Sequence, residues 1–185
     1  MSSTFPKTRN RGYDTDEVEG FLEEARRAYS SNTVSTDGTR SAINSETIRA
    51  MAFSLRRGGY SISHVDAALE RLEDAFATRE REQAIQAMGE DAWYQETRVI
   101  AQEIVNRLAR PRRHRFARAG FMVNGYRRKD VDALSDRILA HLVSGEPLDV
   151  SDVRTAAFRP QRGGYQEAQV DLLLDSVIDV MLAVR

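Results

Sequence analysis

Four times along this chain a Gly-Tyr pair is followed, five residues after the tyrosine, by a valine that opens an apolar helical stripe. The copies are Gly12-Tyr13 with Val18, Gly59-Tyr60 with Val65, Gly125-Tyr126 with Val131, and Gly164-Tyr165 with Val170. An acid follows each valine: Glu19, Asp66, Asp132 and Asp171. Recurrence of this kind means that one small supersecondary unit is reused, and it restricts the fold to assemblies of that unit.

From the valine onward every copy has the spacing of an amphipathic helix. The first runs Val18, Phe21, Leu22, Ala25, Tyr29; the second Val65, Ala68, Leu69, Leu72, Phe76; the fourth Val170, Leu173, Leu174, Val177, Met181. The third is looser, with Ser135 interrupting Val131, Leu134, Ile138 and Leu142. Asp14 to Glu17 offers a capping box. Ser61 and Ser63 suit the second start, whereas Arg127 and Gln166 are poor caps. Glycines ahead of the tyrosines suit a tight reversal at positive φ. Ile48 to Phe53 parallels Val153 to Phe158, each phenylalanine standing seven residues before its tyrosine, with Ser45 and Ser151 upstream as expected caps. The expected fold is therefore all-α: repeated short helix–glycine turn–helix hairpins around a longer central helical hairpin that breaks at Gly89.

Segment boundaries follow from the same pattern. Residues 1–29 hold the first motif, and 30–44, small and polar without period, read as a flexible linker. Residues 45–110 hold the second motif and a long helical region, with Trp93, Ile100, Ile104 and Leu108 as its later stripe. Residues 111–146 hold the third motif and 147–185 the fourth, whose helix is apolar almost all round and expected to be buried. The first motif alone has too little core to fold and must dock elsewhere.

The residue inventory points away from chemistry. There is no cysteine, which excludes disulfides and thiolate sites. His64, His114 and His141 lie on separate segments without metal-ligand spacing, so no metal and no cofactor is expected. The Gly-Gly turns at 58–59 and 163–164 lack the strand and Gly-Lys-Ser/Thr of a phosphate loop. No nucleophile stands in a recognisable elbow, and the expectation is a protein that is not an enzyme. No apolar run has the length of a membrane span, and Met1 to Thr4 do not open a secretory signal; a cytoplasmic location is expected. The tyrosines Tyr13, Tyr60, Tyr126 and Tyr165 are expected to close hairpins, their hydroxyls reaching water or backbone carbonyls. The acids after the valines are expected as solvated first-turn residues that complement the helix dipole.

Charge is uneven although the net is only −1. Between Ile104 and Lys129 there is no acid, while residues 63–103 carry ten acids against four arginines, which suggests that the two segments face each other. Arg110, Arg112, Arg113, Arg115 and Arg118 form a basic strip near Phe116, Phe121, Met122 and Val123. Such a strip suits anionic lipid headgroups, nucleic-acid phosphates, or salt bridges at a helix end.

Phe5, then Arg11-Gly12-Tyr13-Asp14, then Glu17-Val18-Glu19-Gly20-Phe21-Leu22 resembles the N-terminal motif of the DivIVA family. The array of four resembles DivIVA-domain repeat proteins of actinobacteria, and all of the 27 basic residues except Lys7 and Lys129 are arginine, as a GC-rich genome tends to produce. The resemblance implies a non-catalytic scaffold or adaptor of bacterial cell division or polar growth. It implies protein partners including a second copy of the chain, dimerisation as a parallel coiled coil, and peripheral attachment at the inner face of the cell membrane. In membrane-binding members an apolar residue three before the tyrosine enters the bilayer beside an arginine. Here those places hold Asn10, Arg57, Val123 and Arg162, and Arg11 keeps the neighbouring arginine. Arg11, Arg57, Val123 and Arg162 are therefore the candidate contact residues for a membrane or partner. No long heptad tail follows any copy. The alternative function is a nucleic-acid-binding helix-turn-helix protein, which the acids opening the second helices disfavour.

Overall fold

A computed structural model of the chain describes residues 5–30 and 43–184. Two compact units divide it, Met1–Glu82 and Gln83–Arg185. In the first, β1 (Arg11–Tyr13) leads into α1 (Thr15–Ser30), and α2 (Ser45–Arg49) leads through β2 (Leu55–Arg57) into α3 (Ile62–Met88), which runs past the boundary. The second holds α4 (Glu90–Leu108), β3 (Asn124–Tyr126), α5 (Arg128–Ser144), α6 (Val150–Arg154), β4 (Pro160–Arg162) and α7 (Glu167–Ala183). Residues 31–42, most of the expected linker, lie outside the described residues.

The molecule is mostly helical, but the expectation of an all-α fold needs correcting. In copies one and three the residues before the tyrosine are extended, in copies two and four a short strand precedes the glycine turn at Gly58 or Gly163, and the strands pair across copies. β1 and β2 are antiparallel, with Arg11 opposite Arg57, Gly12 opposite Arg56 and Tyr13 opposite Leu55. β3 and β4 repeat this with Asn124 opposite Arg162, Gly125 opposite Gln161 and Tyr126 opposite Pro160. Copy one thus pairs with copy two, and copy three with copy four. Isolated bridges tie Tyr13 to Tyr60 and Tyr126 to Tyr165 at the two crossings.

Close approach, not positive φ, explains the glycine before each tyrosine. A Cβ on Gly12 would stand 2.2 Å from the carbonyl oxygen of Tyr60, and one on Gly125 would stand 2.1 Å from that of Tyr165. Gly59 and Gly164 meet the carbonyls of Tyr13 and Tyr126 in the same way. Only a missing side chain lets the two backbones cross at this distance. Positive φ belongs to the preceding Gly58 and Gly163.

The helices then pack as the stripes require. In the first unit Val18 and Val65 are fully buried against Tyr60, with Leu22 and Leu69 beside them. Further along, Phe21, Ile48 and Phe76 form a second cluster with Leu72, and Tyr29 stacks on Phe76. The contacts advance together from Val18–Val65 to Tyr29–Phe76, so α1 and α3 run side by side in the same direction. Copy one, too small alone, buries its stripe on copy two. At roughly 1.5–3 kcal/mol for each large apolar side chain removed from water, that docking holds α1 in place.

In the second unit α4 packs on both α5 and α7. Ile104 and Leu108 are buried there, with Thr97 in the stripe where Ile100 was expected; Ile100 and Val99 are exposed. α7 buries Val170, Val177, Ile178, Val180, Met181 and Leu182, while Leu172 faces out. α3 and α4 separate at Gly89, φ +87°, and α4 finds its recorded packing on α5 and α7.

Caps differ in detail. Asp14 Oδ1 accepts from the N–H groups of Asp16 and Glu17, as expected. The Glu17 carboxylate does not close a capping box but reaches the N–H of Ser54 at 2.7 Å. Asn44, not Ser45, caps α2 through a reciprocal pair with Thr47, leaving Ser45 to bond Glu80. Asp149, not Ser151, caps α6. Arg127 and Gln166 make no side-chain cap.

Candidate functional site

Each crossing is held by four aromatic rings and two carboxylates, exchanged between copies. Phe5 lies edge-on to Tyr60 and Phe53 to Tyr13; Phe116 meets Tyr165 edge-on as well, and Phe158 lies tilted against Tyr126. The hydroxyls go to the acids after the opposite valines. Tyr60 donates to Glu19, Tyr13 is near enough to Asp66 for that carboxylate to raise its hydroxyl, after burial, Tyr165 donates to Asp132 at 3.0 Å, and Tyr126 stands 3.5 Å from Asp171.

This corrects one expectation and narrows another. The hydroxyls are directed at carboxylates rather than backbone carbonyls, and of the four acids Asp132 is buried and Asp66 half-buried while Glu19 and Asp171 stay exposed. Burial, then the Asp132 bond, pushes the Tyr165 hydroxyl up to about 12. Val18, Val65, Val131 and Val170 are buried beside these pairs. The tyrosine–valine–acid signature therefore builds the crossing.

The basic strip separates into parts. Arg115 is buried: its guanidinium donates to Asp136 at 2.6 Å, to the Asp132 carbonyl at 3.0 Å and to the Arg110 carbonyl at 3.2 Å. Arg112 joins it on Asp136. Burial raises the Asp136 carboxyl, but hydrogen bonds from Arg115 and Arg112 outweigh that and hold it below the usual carboxylate range. Arg113 adopts φ +70° and gives its N–H to Asp132. Among the described residues the acids that partner the strip, Asp132 and Asp136, lie on α5. Phe116 is core, while Arg110 and Arg118 are exposed.

The turn candidates fall on the two sheets. Arg11 and Arg57 face each other in register on β1 and β2, and Arg162 ends β4. Val123 is exposed just before β3, in a loop whose preceding residues stand out furthest: Phe121 is 86% exposed, Met122 73% and Val123 58%. Beneath this apolar tip lies a pocket of about 460 Å³ lined by Arg118, Phe121, Met122, Arg128 and Arg162. It joins Arg118 of the strip to Arg162 of the turn set and adds Arg128, which the motif spacing did not mark.

Among the described residues no group of three or more His, Cys, Asp or Glu is placed to hold a metal. His64 bonds Ser61 at 2.9 Å, and His141 bonds the Glu146 carbonyl at 2.7 Å. No described helix is long and apolar enough to cross a membrane. Comparisons with protein-family models, curated proteins and solved structures find no match for the chain.

Proposed function

We propose that this chain is a non-catalytic scaffold or adaptor of the DivIVA-like type, serving bacterial cell division or polar growth. It touches an anionic membrane surface through the tip of its second unit and presents its remaining faces to protein partners. The cellular setting comes from the resemblance of residues 5–22 to the DivIVA motif. The observation that carries the contact mode is the exposed Phe121-Met122-Val123 run with arginines at its foot. Apolar side chains on a basic base suit the boundary between headgroups and acyl chains.

The helix-turn-helix alternative draws less support. The first turn of α1 is engaged with Ser54 and β2 through Glu17 and Asp14, which leaves it poorly disposed to enter a groove.

Co-sedimentation with anionic liposomes tests the reading. Wild type should bind at low salt, bind less at high salt as screening shortens the reach of the arginines, and bind at least several-fold less with Val123→Asp or Phe121→Asp. Absence of binding to any vesicle would overturn the membrane contact, and saturable duplex binding with a steep salt slope would favour the alternative.

A further inference from the structure

The two units share one scaffold, so each serves as the control for the other. Thr8 N–H bonds the Gly59 carbonyl as Ala119 N–H bonds that of Gly164, and Gly58 N–H bonds the Asn10 carbonyl as Gly163 N–H bonds that of Val123. Between these matched anchors the first unit has one residue, Arg9, where the second has Gly120, Phe121 and Met122. The second unit's loop is two residues longer, and the added length is the apolar tip and one wall of the pocket.

Several arginines elsewhere in this unit are paired with acids. Arg112 and Arg115 hold Asp136, Arg137 holds Asp152, and Arg159 holds Asp130. The three that line the pocket differ: among the described residues the guanidinium groups of Arg118, Arg128 and Arg162 have no carboxylate partner. Nε of Arg128 is buried without a hydrogen bond, so this side chain has given up water on one edge and gained nothing in return. Three unmatched cations around one concavity leave an unfilled demand for negative charge. A single carboxylate has two oxygens and engages two guanidinium groups, as Asp136 does. A phosphomonoester, with roughly −1.5 to −2 charge at neutral pH and three acceptor oxygens, answers three.

We propose that the pocket behind the tip binds a phosphomonoester group, with the apolar part of the same ligand lying along Ala119, Phe121 and Met122. The inference deepens the membrane-contact reading, on which it rests only for the lipid source of that group. The group can come from a lipid headgroup or from a soluble phosphomonoester, and the test separates them.

One arm measures binding to vesicles doped with phosphatidic acid, a monoester, or phosphatidylglycerol, a diester, matched in zeta potential. The other measures binding of inorganic phosphate by amide-shift titration, read at Gly163 and Arg128. Both use the full chain, the exposed-residue variant Arg118→Gln/Arg162→Gln, and Arg27→Gln, which removes an exposed arginine of α1 in the first unit. The expected result is tighter binding to the monoester vesicles, weakened about tenfold or more in the double variant and unchanged in Arg27→Gln. Phosphate titration should follow the same order. Equal affinity for both vesicles, with no phosphate shifts at the pocket, would overturn the proposal while leaving the membrane reading intact. Saturable phosphate shifts lost in the double variant, without vesicle binding, would support the pocket and overturn the membrane reading. A double variant that retains wild-type monoester preference would also overturn the pocket.

Discussion

Tyr165 is fully buried, and its hydroxyl serves a carboxylate that has few other donors: Asp132 otherwise accepts from the Arg113 N–H and stands 3.9 Å from Arg115. Tyr165→Phe should therefore cost about 1–3 kcal/mol at neutral pH, read as a lower urea midpoint. The pH dependence has a definite sign. A tyrosine titrates near 10 when unfolded and this one near 12 when folded, so its contribution is complete below about pH 10 and is lost as pH rises toward 12. The Phe variant should show a shallower alkaline decline across that window; an unchanged slope would remove Tyr165 from the account. Glycines give a second contrast. Gly125→Ala drives a Cβ into the Tyr165 carbonyl and should cost about 3 kcal/mol or more, whereas Gly20, with nothing within 4 Å in α1, should gain about 0.5–1 kcal/mol on change to Ala. Thermal melts of the two variants should shift in opposite directions.

Among the elements, the helices were the legible part. Stripes such as Val18, Phe21, Ala25 or Val170, Val177, Met181 carry the 3.6-residue period in their own spacing and are buried as spaced. The strands were not legible, because Arg11-Gly12-Tyr13 and Leu55-Arg56-Arg57 are too short to show alternation and exist only by pairing with a distant copy. Caps moved by one or two residues, to Asn44 and Asp149, for a local reason: either neighbour offers a capping oxygen, and packing chooses. In α4 Thr97 is buried and Ile100 exposed, so the buried stripe falls beside the apolar one. Ile104 sits in that seam, 3% exposed. Ile104→Ala should cost about 2–4 kcal/mol and lower amide exchange protection in α5 and α7; protection unchanged there would mean that α4 does not support those helices.

For the whole molecule, four copies could be counted from the sequence, but not which copy pairs with which. Pairing is decided by carbonyls, ring edges and hydroxyls that meet only after the chain returns. A partial signal existed: Phe53 and Phe158 share a spacing before their tyrosines that Phe5 and Phe116 do not. Phe116 and Phe121 looked alike beside the basic strip, and only folding separates a core ring from an exposed one. Arg128 was hidden for the same reason, since a pocket wall drawn from a strip, a helix start and a returning strand leaves no local pattern.

Copy one meets copy two on the same polypeptide, and copy three meets copy four likewise. Each crossing is therefore an intramolecular event, fixed by tether length rather than by how much protein is present. Dilution does not dissolve it, and the two members of a pair need not stay alike. A change in one copy is not imposed on its mate, so the second unit carries a single greasy finger where two identical chains meeting each other would have to carry two.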